Sequence, residues 1–292
     1  MNRSNQKVNE KLYYPIDAVA EEYSKVLRSR AKKMHRLMMG AYKSKIAPII
    51  REYYAKKSKF LKANSSLEDL LLRYTKLIDH EIDLVMDQID DIYSDDLMHD
   101  IVHRFTEALS RTQRKIMVQE ILNEIGYVVP DVYDNLTSVS TEISESIEEY
   151  EDEQVEYLQS TFVDDYDERI RSLILDQLQV GVSATAIMRG LHVISGIMER
   201  KAENGAKGRT YSLYADLCEF AHKYFGFEKF VWITMKDGLV RLSHEKLHGK
   251  VFYWDFGAVG AGDNGQSILP GRSGRDGGDW GCRCIPGLHM GE

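Results

Sequence analysis

Near the end of the chain, Arg241 to Gly249 reads Arg-Leu-Ser-His-Glu-Lys-Leu-His-Gly and contains the pattern His-Glu-x-x-His. Inside a helix, His244 and His248 would share a face and could close on one Zn²⁺, while Glu245 activated a bound water as in zinc peptidases. The surroundings do not complete that site. Gly249 follows the second His directly, so a helix starting at a Ser243 cap lasts little more than one turn. No Glu follows until Glu292, and the extended pattern with Gly and a third His is absent, because Lys250 to Trp254 stands there. The same histidines allow a second chemistry. With Cys282 and Cys284 they offer two nitrogens and two sulfurs, a donor set that suits a structural, tetrahedral Zn²⁺ clipping a small domain together. Against this, Cys-x-Cys is closer than the usual spacing, and on a regular strand the two thiols would face opposite ways. The third reading has no metal, with His244 and His248 hydrogen-bonded inside the domain. Cys218, on the apolar side of its helix, reads as a core residue.

These residues need a scaffold, and the pattern around them changes period at Gly226. Phe230 to Thr234 is β-branched and aromatic, and Lys236-Asp237-Gly238 is a turn signal before Leu239 to Arg241, so a β-hairpin is expected. Val251 to Trp254 is a further strand candidate. Between Gly257 and Gly281, nine glycines in 25 residues predict a glycine-rich loop with little regular structure.

Upstream, the pattern from Asp17 to Gly126 is helical. Leu67, Leu71, Tyr74, Ile78, Ile82, Val85, Ile89 and Ile92 recur every three or four residues, and Leu97, Ile101, Phe105 and Leu109 form a second stripe. Pro48 is the one proline between Pro15 and Pro130, so it is the expected interruption. Tyr127 to Ser140 breaks the pattern, and Thr141 opens another helical region that Gly181 ends. Ser183 then caps a helix carrying Ile187, Leu191 and Ile194. Lys207-Gly208 is expected in a loop, with a new helix from Thr210 to Gly226. The fold class expected is mainly α: a long-helix N-terminal bundle over 1–130, then a small α+β C-terminal domain over 141–292.

The 292 residues, 43% hydrophobic and 29% charged, suffice for one large or two modest packed domains and argue against disorder. Three cysteines make no disulfide framework, which points to a reducing compartment. The polar start suggests no secretory signal, and no stretch approaches a membrane span. No phosphate-binding Gly-x4-Gly-Lys-Ser/Thr loop is present. The net charge of −8 hides two blocks: thirteen Lys or Arg against one acid from Ser24 to Ala63, and twelve acids without a base from Glu142 to Glu168. The ordinary account is solvated helix faces. The specific one is that Lys25 to Lys62 meets DNA or an acidic protein face. Docking on protein would bury Leu37, Met38, Ile49 and Ile50.

Taken in order, Trp232, Asp237, Arg241, His244, Leu247, Gly249, Pro270 and the triplet Cys282-Arg283-Cys284 resemble the C-terminal motif of the phage Mu F-type minor head, or head morphogenesis, proteins. The match is best over 201–286, with Arg209-Thr210 as an upstream element, and it leaves the N-terminal half uncovered. The residues before Cys282 depart from the common Pro-x-Asn form and look like its tryptophan version, Trp280-Gly281. Glu245 falls on a variable position of that motif. The resemblance implies a virion protein without enzymatic activity, made in the host cytoplasm and held at the portal and inner face of the head, where it assists assembly, packaging or ejection. Its partners would be the portal and other head proteins, with DNA possible through the basic block. With eight residues after Cys284, the toxin domain that some relatives carry is not expected. The competing classes are a zinc peptidase and a DNA-binding accessory protein.

Overall fold

The computed structural model describes residues 9–63, 67–126, 147–235, 240–262, 265–272 and 282–291, the side chains of 60–63 excepted. Helices α1 (Tyr14–Ala41), α2 (Ala47–Ala63), α3 (Leu67–Asp90) and α4 (Asp95–Ile125) come first. Then follow α5 (147–159), α6 (Asp165–Val180) and α7 (Ala184–Tyr224). Strand β1 (Lys229–Ile233), the short helix α8 (Leu242–Glu245), and strands β2 (Val251–Tyr253) and β3 (Ile285–Leu288) follow, and short 3-10 or π turns lie at Glu10–Tyr13, Tyr42–Ile46, Asp91–Tyr93 and Ser160–Asp164. The architecture is mainly α with a small α+β C-terminal region, as the periodicity predicts. No described helix is long and apolar enough to cross a membrane.

The chain forms two compact units, and neither follows the expected division of 1–130 from 141–292. One unit gathers 26–101 and 152–202; the other gathers 1–25, 102–151 and 203–292. Long helices are the reason, since α1, α4 and α7 each contribute residues to both. The expected break from Tyr127 to Ser140 lies outside the described residues.

In the unit of 26–101 and 152–202, α1 and α2 bury Leu27, Ala31, Met34, Met38, Tyr42, Ile46, Ile50 and Tyr53. From Met38 to Ile50 these come at three successive steps of four, which outruns the 3.6-residue period of an α-helix and would turn the apolar stripe off the core. A π turn over Tyr42–Ile46 takes up the surplus. It sits just before Pro48, whose missing N–H would otherwise break a regular ladder. Helix α3 buries Leu70, Tyr74, Ile78, Ile82, Val85, Met86 and Ile89, close to the predicted stripe. Gly181, at φ 89, ends α6, and the Ser183 hydroxyl accepts from the Ala186 N–H at 3.3 Å, as expected of a cap. Tyr42 and Tyr54 donate to the Ala184 and Val182 carbonyls at 2.6 and 2.7 Å, which ties this turn to α1 and α2. Of the four residues expected to dock on a protein partner, Met38 and Ile50 are fully buried inside the unit, while Leu37 and Ile49 are half-buried.

In the other unit, β1 is the central strand of an antiparallel sheet ordered β2-β1-β3 among the described residues. Phe230 pairs with Phe252 on one side and Leu288 on the other; Trp232 pairs with Pro286. The hairpin partner of β1 is thus β2, and the strand expected at Leu239 to Arg241 is not formed at Val240 and Arg241, which lead into α8. Helix α7 runs unbroken through Lys207-Gly208, where a loop was expected. Packing overrides the local glycine signal, since Ala202, Ala206, Thr210 and Leu213 all lie buried there at helical spacing.

Candidate metal centre

The β1 strand ends in Trp232 and Ile233, both fully enclosed. The chain returns to it through α8, and the return is fixed by backbone bonds: Gly249 N–H donates to the Trp232 carbonyl and Trp232 N–H to the Lys250 carbonyl, each at 2.8 Å. Gly249 adopts φ 73, a left-handed conformation that favours glycine and lets the chain turn back onto the sheet. This geometry carries His244 inward, 2% exposed, with its ring edge-on to Trp232 at 5.5 Å between centroids.

Cys282 and Cys284 reach the same point from the opposite direction. They lie before β3 begins, so the alternation of a regular strand does not apply and both thiols turn to His244. The Nδ1 of His244 lies 3.4 Å from the Cys282 sulfur and 3.6 Å from that of Cys284. The three candidate ligand atoms all fall within 4.8 Å of one another, and all three residues are buried. A tetrahedral ion with Zn–N near 2.0–2.1 Å and Zn–S near 2.3 Å holds its nitrogen and sulfur ligands about 3.6 Å apart. The donor set therefore fits zinc in both chemistry and spacing.

The thiols share their protons unequally. A hydrogen bond from Cys284 and the nearby His244 hold the Cys282 thiol well below its ordinary value against the opposing effect of burial. The Cys284 thiol is pushed strongly upward, first by its hydrogen bond to Cys282 and then by burial. The Trp232 indole N–H, which finds no partner of ordinary hydrogen-bond geometry, lies against Cys284 and favours negative charge on that sulfur.

His248 does not join the cluster. Helix α8 stops at Glu245, so the four-residue step to His248 is not a helical one, and its ring turns the other way. Its Nδ1 accepts the Thr234 N–H at 3.1 Å, and its Nε2 lies 3.5 Å from a Glu10 carboxylate oxygen. The two histidines of His-Glu-x-x-His thus serve different places, and Glu245 is exposed. That is not the arrangement of a zinc peptidase.

Of the other motif residues, Arg241 is the residue before α8, in extended conformation; Leu247 and Arg283 are half-buried. Pro270 is buried beside Gly271, whose φ is 76. A Cβ on Gly271 would come within 2.6 Å of the Tyr211 carbonyl and 3.2 Å of the Cys284 carbonyl, so this glycine admits the cysteine segment against α7. Asp237 and Trp280 lie outside the described residues.

Several supporting residues carry no motif. Arg272 donates to Asp216 at 2.9 Å and also to Glu219, which clamps the segment after Gly271 onto α7. His222, fully buried between Phe227 and Trp254, is driven by desolvation to a pKa of about 3 and stays neutral. Pairings of this kind join residues tens of positions apart, and nothing in local spacing announces them. No family model, curated protein or solved structure matches the chain.

Proposed function

We propose that this chain is a structural protein whose C-terminal region is closed by a Zn²⁺ on His244, Cys282 and Cys284, and that it serves as a minor head protein of a tailed phage. The convergence of those three side chains on one buried point carries the metal reading. Two sulfurs and an imidazole select zinc over the oxygen-preferring cations, and three protein ligands leave the fourth position to water or another donor. Such a clip would anchor the residues just before β3, adding to the packing of Leu288 against Met117, Ile121 and Ala221. The head-protein reading rests on the motif resemblance, and it is supported by finding His244, Cys282, Cys284, Gly249 and Trp232 assembled around one point.

Purified protein should carry about one zinc per chain, and Cys282→Ser should lose that zinc and melt at lower temperature. Metal-free protein whose stability does not change on adding zinc overturns the metal reading. The head assignment is tested separately. A portal gene directly upstream and a major capsid gene downstream support it, and so does detection of the protein in purified heads; absence from heads of the producing phage removes it.

A further inference from the structure

The π turn that keeps the apolar stripe of α1 and α2 on the core also keeps the opposite face in line. Lys33, Arg36, Lys43, Arg51 and Lys59 all lie on the broad face away from the buried stripe, and all are exposed. At a rise of about 1.5 Å per residue they spread over about 39 Å, a little more than one turn of B-form DNA. Other cations of the block are matched internally: Lys32 with Glu199, Lys45 with Glu81 and Lys56 with Glu52. The five on this face have no carboxylate partner among the described residues. Acids of the same unit gather elsewhere, around Asp90, whose carboxyl is raised first by burial and then by Asp87, Asp164, Asp167 and Asp91. Of the apolar side chains between the cations, Met34, Met38 and Ile50 are enclosed and Leu37 and Ile49 are half-buried.

From this arrangement we infer that the outer face of α1 and α2, from Lys33 to Lys59, is a docking surface for the phosphate backbone of double-stranded DNA. An elongated face of unmatched cations suits a linear polyanion, whose phosphates carry no sequence information. The overall charge of −8 does not prevent contact, because at physiological salt only charges within about 8 Å act strongly. The inference does not depend on the zinc site.

The test is binding of a labelled 30-base-pair duplex to the full chain at increasing salt. Five phosphate contacts predict a slope near −4.5 in log affinity against log salt, about a 500-fold loss between about 50 and 200 mM. The double change R36Q/K43Q should lower the slope by about 1.8, whereas K115Q/K246Q, equal in charge but lying off this face, should leave it unchanged. All four positions are exposed, and thermal melts of the variants check that each folds. No binding at about 50 mM salt, or equal slopes for both double variants, overturns the inference. Binding to poly-glutamate tighter than to the duplex assigns the face to an acidic protein instead.

Discussion

Tyr13 and Glu120, 107 residues apart, share a 2.5 Å hydrogen bond in which the phenol donates to the carboxylate. The same oxygen accepts the Leu288 N–H at 2.8 Å, so one buried carboxylate holds both the N-terminal turn and strand β3. Gly287 leaves the room: a Cβ there would lie 2.9 Å from the Tyr13 hydroxyl and 3.3 Å from Glu120.

Burial raises the Glu120 carboxyl to about 7, against the lowering effect of its two hydrogen bonds. An acid raised on folding stabilises fully below its unfolded pKa, near 4.5, and that contribution is lost as pH rises through 7. The shift corresponds to about 3 kcal/mol. Denaturant titrations should therefore show stability falling between about pH 4.5 and 7. Glu120→Gln, which keeps an acceptor for Tyr13 and Leu288, should flatten that slope and be the more stable form at pH 8. A variant with the slope of the parent would assign the pH dependence elsewhere.

His244 and His248 should separate cleanly in a metal assay. His244→Ala should abolish zinc retention. His248→Ala should keep the zinc and lose only the Thr234 bond and the Glu10 contact, about 1 kcal/mol of stability. Zinc loss in both variants at equal melting temperature would place the second histidine at the metal after all.

Gly271→Ala probes the wall behind Cys284. A side chain at φ 76, pressed within 2.6 Å of the Tyr211 carbonyl, should cost more than about 1 kcal/mol. Because the strain falls next to Cys284, zinc release to a chelator should also quicken. A neutral effect on both would mean that the turn shifts freely.

Glu245→Gln should change neither stability, beyond about 0.5 kcal/mol, nor zinc content, since this exposed side chain faces away from the cluster. The purified protein should leave unstructured casein intact. Cleavage by the parent and not by the variant would restore a peptidase.

Helices with strong apolar stripes were legible from residues alone: the burial of Tyr74, Ile78, Ile82, Val85 and Ile89 and the caps at Gly181 and Ser183 follow from spacing and side-chain chemistry, whereas at the start of α3 it is Leu70, not Leu67 or Leu71, that is buried. The candidate site was legible in its ligand types but not in its membership. His248 was grouped with His244 because four residues make one turn of a helix, and α8 is too short for that rule. Strand alternation, the objection to pairing Cys282 with Cys284 on one metal, does not apply because the backbone before β3 is irregular. Long-range partners such as Tyr13 and Glu120, or Arg272 and Asp216, leave no periodic trace.

The π turn at Tyr42–Ile46 has an implication for how this helix tolerates change in length. One residue is stored there beyond what an α-helix needs. Deleting Ser44 would let the turn relax to ordinary α-geometry and would leave everything beyond it in phase with the core. The same deletion a few turns earlier, at Ser29, would rotate the residues between it and the turn by about 100°, carrying Met34 and Met38 off the core. The segment thus acts as a register adjuster: loss of one of its exposed residues, Lys43, Ser44 or Lys45, is absorbed, while loss of a residue within α1 is not.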